Sequence, residues 1–459
     1  MKPQERARGW FAGRAVGIIG LGREGTALAR FLLPLGSRVV ATDDKPVEQL
    51  APEMRGLIQQ GLVLYAGGLH EAVLDTSCCF VSPGVPLDLP LVAEARARDL
   101  WLWNEPGLFL ALCPAVTVGV TGSSGKSTTS SLIAAIMRAA GRKTYLGGNI
   151  GLPLIEMVGD MLPQEVAVLE LSSFQLELVQ HSPDYALITN ITPNHLDRHC
   201  SMDMYREAKA KIFTQQHPED VLVLNADDAR CQELANRARS RVCWFSADGK
   251  VVEGAYIHDG EVVVQNAGRS NCVCRVTEIK LLGQHNLANV LAASALCHSA
   301  GVDVGAIRMA VANYSGLPHR LELVSVIDQV AYYNDSIATT PERSIAGMRS
   351  LDVPIVLLAG GRDKHLPWDA WLAEVRKRAK VVVVFGESAA MLERILISAG
   401  EHVERRDTML EAANVAKQLA NPGDAILLSP GGTSFDEFRD FEERGDCFRE
   451  WVLSMGKGV

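Results

Sequence analysis

The residues with the clearest chemistry are Gly119-Val-Thr-Gly-Ser-Ser-Gly-Lys-Ser127, which match G-x-x-x-x-G-K-[ST] at every fixed position. Glycines in such a loop let backbone N–H groups close around phosphate oxygens at a helix start. Gly122, Ser123, Ser124 and Gly125, with Thr128 just after the loop, would line a triphosphate, Lys126 would reach its outer phosphates, and the Ser127 hydroxyl would ligate Mg2+. A further contact to that ion is expected where an apolar strand ends in an acid. Val166-Ala-Val-Leu-Glu170 fits, with Glu170 at the carboxyl edge of the sheet. His195 follows a strand end in a polar loop, where a neutral imidazole serves as metal ligand or polar orienter, although loop histidines are more often simply solvated. A second glycine turn, Gly20-Leu-Gly22-Arg-Glu-Gly25, has the G-x-G-x-x-G form, with Asp43 and Asp44 about 20 residues on. It suits a dinucleotide or a nucleotide diphosphate, and a tight strand-to-helix turn that binds nothing has the same composition.

These residues need strands and helices to hold them. The first glycine turn sits between apolar residues 15–19 and an amphipathic helix to about Leu33, and a second strand is expected over 37–41. Residues 81–84 and 100–103 read as later strands of the same sheet. A buried strand over 115–120 and a helix over 128–139 flank the phosphate loop, which is the context the motif requires. Strands follow at 166–169, 185–190 and 221–224. Residues 251–277 alternate apolar and polar between glycines, predicting a small antiparallel insertion, and a helix over 286–300 closes that segment. Beyond Leu317, apolar strands at 355–359, 381–385 and 425–428 alternate with helical patterns, the signature of a mostly parallel sheet. The chain therefore reads as α/β with three domains. These are a Rossmann-like N-terminal domain over 1–113, a central P-loop ATPase-like domain over 114–316 and a C-terminal Rossmann-like domain over 317–459.

At 459 residues the chain is too long for one core. Its 47% hydrophobic and 22% charged residues are ordinary for a globular protein, and the net charge of −9 argues against nucleic-acid binding. No apolar run approaches the roughly 18 residues of a membrane span, and no signal-peptide core precedes Gly13. Among ten cysteines, Cys78-Cys79 and Cys272-x-Cys274 lack zinc spacing, so free thiols in a reducing cytoplasm are expected. A cytoplasmic protein without nucleic-acid or membrane partners follows, and a monomer is expected.

Eight segments in order resemble the Mur ligases of peptidoglycan synthesis. They are the phosphate loop through Thr128, Gly147-Gly-Asn-Ile-Gly151, Glu170-Leu-Ser-Ser-Phe-Gln-Leu-Glu177 and Asn194-His-Leu-Asp-Arg-His199. Leu282-Gly-Gln-His-Asn286-x-x-Asn289, Gly316-Leu-Pro-His-Arg320-Leu-Glu322, Asn334-Asp335-Ser and Leu428-Ser-Pro-Gly-Gly-Thr-Ser-Phe-Asp-Glu-Phe438 complete the set. The pattern is most similar to the branch that joins D-glutamate to UDP-N-acetylmuramoyl-L-alanine with ATP through an acyl phosphate.

The resemblance implies a role for each domain. The first holds the UDP part of the substrate, so Gly20-x-Gly22-x-x-Gly25 would cradle a diphosphate, Gly22, Arg23, Glu24 and Ser82 would bind this UDP-substrate, and Asp43 or Asp44 would contact uridine. The second holds ATP and two Mg2+ ions, and the third brings the incoming glutamate. By the same resemblance Lys126 stabilises the transferring phosphoryl group, Ser127 and Glu170 hold the first Mg2+, and His195 supports the second. Lys209, rather than Lys211, aligns with a lysine that CO2 converts to a carbamate, an anionic ligand for that second ion. Asn149, Ser172, Gln175 and His195 fall where the family contacts the muramoyl-alanine portion. Asn286, Asn289, Arg320 and Asp335 fall at its adenine, ribose and phosphate contacts, and Thr339, Lys364, Ser434, Phe435 and Phe441 at the glutamate.

Two departures lie in the acceptor region. Ile337-Ala338-Thr339 stands where the branch often carries Lys-Ala-Thr, so that cation is missing or comes from Arg362 or Lys364, and Gly431-Gly432 replaces commoner small residues. A ligase adding L-glutamate is therefore the nearest alternative. A folylpolyglutamate synthase does not need the first glycine fingerprint, and the diaminopimelate-adding relative carries an Asp-Asn-Pro motif absent here. An NAD-dependent dehydrogenase would explain only that first motif, and a non-catalytic nucleotide module neither Glu170 nor the His195 segment. A hinge near residues 316–318 is expected to let the third domain close.

Overall fold

The computed structural model describes residues 2–50, 53–193, 196–281, 283–364 and 366–455. Among them the chain forms three α/β sheets, one in each of three successive stretches of sequence. The first consists of β1 (Ala15–Ile19), β2 (Arg38–Asp43), β3 (Val63–Ala66), β4 (Cys78–Val81) and β5 (Trp101–Trp103), all parallel in the order β3-β2-β1-β4-β5. The chain reverses its direction of travel beside β1. That is the point where open α/β sheets leave a crevice at their carboxyl ends, and the Gly20 turn leaves β1 there.

The second sheet contains β6 (Val116–Thr121), β7 (Thr144–Gly148), β8 (Val166–Glu170), β9 (Tyr185–Ile188), β10 (Val221–Asn225), β11 (Arg241–Ser246), β12 (Gly254–His258), β13 (Glu261–Asn266) and β14 (Arg269–Arg275). Its order is β14-β13-β12-β11-β10-β9-β6-β8-β7. The antiparallel insertion expected at 251–277 is present as β12 to β14, and it extends the parallel sheet through β11. Strands β6 and β8 are buried along almost their full length, as parallel strands covered on both faces must be. β6 lies between β8 and β9, so the phosphate loop emerges at this sheet's own reversal point.

The third sheet has β15 (Glu322–Ile327), β16 (Val330–Asn334), β17 (Ile355–Gly360), β18 (Ala379–Phe385), β19 (Val403–Arg405) and β20 (Ala425–Gly431), ordered β15-β16-β20-β17-β18-β19. Only the β15–β16 pair is antiparallel. The chain packs as two compact units, residues 1–279 with 285–314, and residues 280–284 with 315–459. In the first unit one apolar core runs from Phe11, Ile18 and Phe80 through Phe109 to Leu171 and Leu234, so the first two sheets share it. The ten cysteines are free thiols. Among the described residues no helix is long and apolar enough to cross a membrane.

Candidate active site

The phosphate loop joins β6 to the helix Lys126–Ala139 and is held on two sides by its neighbours. Gly125 has φ +79, and a Cβ there would fall on Asn289 Oδ1; Gly122 has φ +147, and a Cβ there would fall on Thr189 Oγ1. Both positions therefore require glycine, once for conformation and again for space. The loop after β9 closes one side. Ser123 N donates to Asn190 O at 2.9 Å and Ser124 N to Asn190 Oδ1 at 3.0 Å, while Ser123 Oγ donates to Thr192 O at 2.9 Å. On the other side Thr129 Oγ1 donates to Asn289 Oδ1 at 3.2 Å, and Asn289 Nδ2 to Asn286 Oδ1 at 3.0 Å. Ser127 and Thr128 are buried at the helix start.

Two lysines converge beneath this loop. Lys126 Nζ donates to the carbonyls of Gly122 (3.0 Å) and Ser123 (3.2 Å). Lys209, on the helix Met202–Ala210, is 1% exposed and donates to Gly122 O at 2.8 Å, its ammonium 4.5 Å from the Tyr205 ring centroid. Burial, then the positive charge of Lys126, holds the Lys209 amine well below the ordinary lysine range. Lys211 points elsewhere and donates to Glu177 O at 2.5 Å. Only Lys209 of the two reaches the loop.

Glu170 ends β8 and is 1% exposed. Its Oε1 accepts from Asn149 Nδ2 at 2.8 Å, while Oε2 is buried with no hydrogen-bond partner. A carboxylate oxygen left bare in the interior is costly unless something cationic meets it. An oxygen-loving divalent ion fits this donor set, because Mg2+ takes one or two carboxylates and completes its shell with phosphates and water. His195 and Asn194 lie outside the described residues. Next to them His199 is buried, its Nε2 2.8 Å from Ser173 Oγ and its ring stacked on Phe174 at 5.2 Å.

The expected substrate residues of the first sheet gather at the Gly20 turn. Ser82 Oγ donates to Gly20 O at 2.7 Å. Asp43 is buried and accepts from Leu21 N (2.6 Å) and Lys45 N (2.9 Å), so it frames the turn, whereas Asp44 is exposed. Leu21, Gly22, Arg23, Asp43, Lys45 and Glu53 line a cavity of about 380 Å3. Arg23 donates to the carbonyls of Asn149 (3.0 Å) and Gly151 (2.9 Å), which ties the turn to the loop after β7. Glu24 Oε1 accepts from Gln175 Nε2 at 2.5 Å, and Ser172 caps the short helix that carries Gln175.

Two neighbouring residues escaped the sequence reading. Asn104 Nδ2 donates to Gln175 O at 2.5 Å, and Glu105 Oε1 accepts from Ile155 N at 2.9 Å. Glu24 Oε2 and Glu105 Oε2 are both buried without partners. Burial pushes the Glu105 carboxyl up to about 8, helped by the charge of Glu24, and burial raises Glu24 to about 7. The Asn104-Glu-Pro106 run, a capping residue followed by proline at a helix start, is the signal that could have marked them.

In the second unit Asp335 follows β16, with Oδ2 accepting from Ser429 Oγ (2.8 Å) and Oδ1 from Leu321 N (3.1 Å) beside Arg320. Burial raises its carboxyl to about 7. Thr339 N donates to Ile337 O at 2.8 Å, and Phe441 O accepts from Ser336 Oγ at 2.8 Å. Ser434 is buried after β20, Phe435 is 61% exposed, and Lys364 is exposed after β17. Arg362 is engaged by Glu387 at 2.8 Å.

Three family models account for this arrangement in order: the Mur ligase MurD-like N-terminal domain over residues 14–102, the Mur ligase middle domain over 120–297 and the Mur ligase glutamate ligase domain over 319–432. The UDP-N-acetylmuramoylalanine--D-glutamate ligase of Symbiobacterium thermophilum is 44% identical over 460 residues, covering 99% of both chains. The chain belongs to the Mur ligase family. The ligase of the same name from Pelotomaculum thermopropionicum is 40% identical, covering 98% of this chain and 99% of its own. Among solved structures the UDP-N-acetylmuramate-alanine ligase MurC of Thermotoga maritima superposes with a TM-score of 0.60 at 20% identity, covering 96% of this chain and all of that one. MurF of Acinetobacter baumannii gives 0.57 at 18% identity, covering 97% and 92%. These two share the three-domain Mur ligase fold with this chain.

Proposed function

We propose that this Mur ligase joins D-glutamate to UDP-N-acetylmuramoyl-L-alanine, splitting ATP to ADP and phosphate and yielding a peptidoglycan precursor. The observation that carries the reading is the convergence of Lys126 and Lys209 on one phosphate loop, with the bare oxygen of Glu170 on the strand paired with β6. The near full-length likeness to relatives named for that activity agrees with it.

A carboxylate is a poor electrophile, so its oxygen first attacks the γ-phosphorus and ADP departs, leaving an acyl phosphate. The glutamate amine then adds to the acyl carbon, and the tetrahedral intermediate expels phosphate as the amine loses its proton. Lys126 leaves the loop carbonyls for the phosphoryl oxygens and balances their charge. Glu170 and Ser127 would hold Mg2+, with Asn149 keeping the carboxylate oriented. When bound, the metal neutralises oxygens that would otherwise repel one another. The depressed basicity of Lys209 leaves its amine free to add CO2; loss of a proton to solvent gives an anionic carbamate, a ligand for a second Mg2+ together with His195. Arg23, Ser82 and the Gly20 turn receive the UDP portion in the cavity beside Asp43. Thr339, Lys364 and Ser434 receive the glutamate.

The test is phosphate release from ATP by the purified chain with UDP-N-acetylmuramoyl-L-alanine and D- or L-glutamate in turn. Release is expected only with both substrates and with the D-isomer preferred. Equal rates with L-glutamate would reassign the acceptor, and equal release driven by a folate would overturn the reading.

A further inference from the structure

The acceptor region of the second unit contains more positive charge than its fold uses. Arg343, in the first turn of the helix Pro341–Arg349, is exposed and donates one N–H to Ile337 O at 3.3 Å. Among the described residues no carboxylate lies within 4.0 Å of its guanidinium, and Lys364 makes neither a hydrogen bond nor an ion pair. Arg320 Nε is buried without a partner. The acid among these cations, Asp335, already accepts from Ser429 and Leu321. The cations also feel one another: after burial, Arg320 is the next cause that lowers Arg343, and Arg343 the next that lowers Lys364.

A second guanidinium fixes the neighbouring residue, Ser336. Arg444 is fully buried and donates through Nε to Ser336 Oγ (3.0 Å) and through Nη2 to Ser336 O (2.9 Å) and Gly432 O (3.2 Å). Its Nη1 is buried with no partner. Consecutive carbonyls, of Ser336 and Ile337, thus each accept from an arginine, one buried and one open to solvent. Such a cluster is destabilised by mutual repulsion until an anion arrives.

We propose that Arg343 grips a carboxylate of the incoming amino acid, together with Lys364, and replaces the lysine that Ile337 displaces. This rests on the ligase reading above. The fork of a guanidinium suits a carboxylate better than an ammonium does, and the bond to Ile337 O leaves the other N–H groups for it. Arg444 is a positioning residue here: it holds Ser336 and Gly432 while Arg343 makes the contact.

The experiment measures kcat and separate KM values for ATP, the UDP-substrate and glutamate in wild type, Arg343→Met and Arg343→Lys. Arg343→Met is expected to raise the glutamate KM at least tenfold, leaving both other KM values within twofold and kcat within threefold. Arg343→Lys, which keeps the charge but loses the fork, should raise the glutamate KM by less than Arg343→Met does. Because the side chain is exposed, the melting temperature of both variants should match wild type. A glutamate KM unchanged in Arg343→Met, or a rise in the ATP KM in its place, overturns the assignment of Arg343. A wild type that turns over with neither glutamate overturns the reading beneath it instead.

Discussion

Lys126 and Lys209 donate to the same carbonyl oxygen, that of Gly122, at 3.0 and 2.8 Å. Two ammonium groups on one acceptor repel each other, and the buried one yields its proton more readily. Under the proposed reaction that asymmetry has a use: one lysine stays a cation for phosphate, and the other is the amine proposed to take up CO2.

Lys209→Ala should therefore lower turnover by on the order of 100-fold, the usual loss when one preorganised electrostatic partner is removed. Short carboxylic acids added to the assay should restore part of the rate by supplying the missing anion. Full activity in the variant would refute the carbamate.

Glu170→Gln separates function from stability. It removes a buried charge whose Oε2 has no partner, so the melting temperature should equal or exceed that of wild type while turnover is lost. Mg2+ with ATP should raise the melting temperature of wild type far more than that of the variant, as linkage requires when the ligand binds the folded state less tightly. Equal shifts in thermal-melt assays would remove Glu170 from the metal site.

Gly125→Ala and Gly141→Ala form a matched pair. Both glycines are left-handed, with φ +79 and +76, but nothing lies within 4 Å of a Cβ at Gly141, whereas Asn289 Oδ1 occupies that space at Gly125. Gly141→Ala should cost about 1–2 kcal/mol for backbone conformation alone. Gly125→Ala should cost more and raise the KM for ATP, read by denaturant unfolding and steady-state kinetics.

The buried pair Glu24 and Glu105 gives a pH dependence with a definite sign. Their carboxyls are raised in the folded state, so the stability they contribute is complete below the ordinary glutamate range and is lost as pH rises through about 7 and about 8. Arg23 and Glu156 are the other charges that face Glu105. Glu105→Gln should flatten the fall of melting temperature between about pH 5 and 8 and stabilise the alkaline end by on the order of 1–3 kcal/mol. An unchanged slope would show that the pair does not titrate there.

The phosphate loop was legible in the sequence because its geometry is local: glycines at fixed spacing between one strand and one helix. Glu170 was legible for a related reason, since an apolar strand ending in an acid needs no distant partner to be noticed. The parallel strands β6, β8 and β17 stood out as continuous apolar runs, but β7, with glycines at its end, and the short β3 and β19 did not. Which of Asp43 and Asp44 frames the turn depended on strand length, because β2 continues to Asp43 and buries it. The bond from Glu24 to Gln175 spans 151 residues and depends on how two sheets share a core, which no local spacing encodes. Arg343 was missed because an exposed arginine on a helix becomes notable only once its lack of a carboxylate is seen.

The apolar core that runs from Phe11 to Leu234 makes the first two sheets inseparable in practice. A chain severed between Leu112 and Val116 would leave Ile155 N, Gln175 O and the carbonyls of the 148–151 loop without their donors or acceptors, and would bare the core face beneath them. Cleavage there should yield aggregation-prone pieces rather than two soluble modules, so a ligand wedged under Arg23 and Glu105 would act by prising a single folding unit apart.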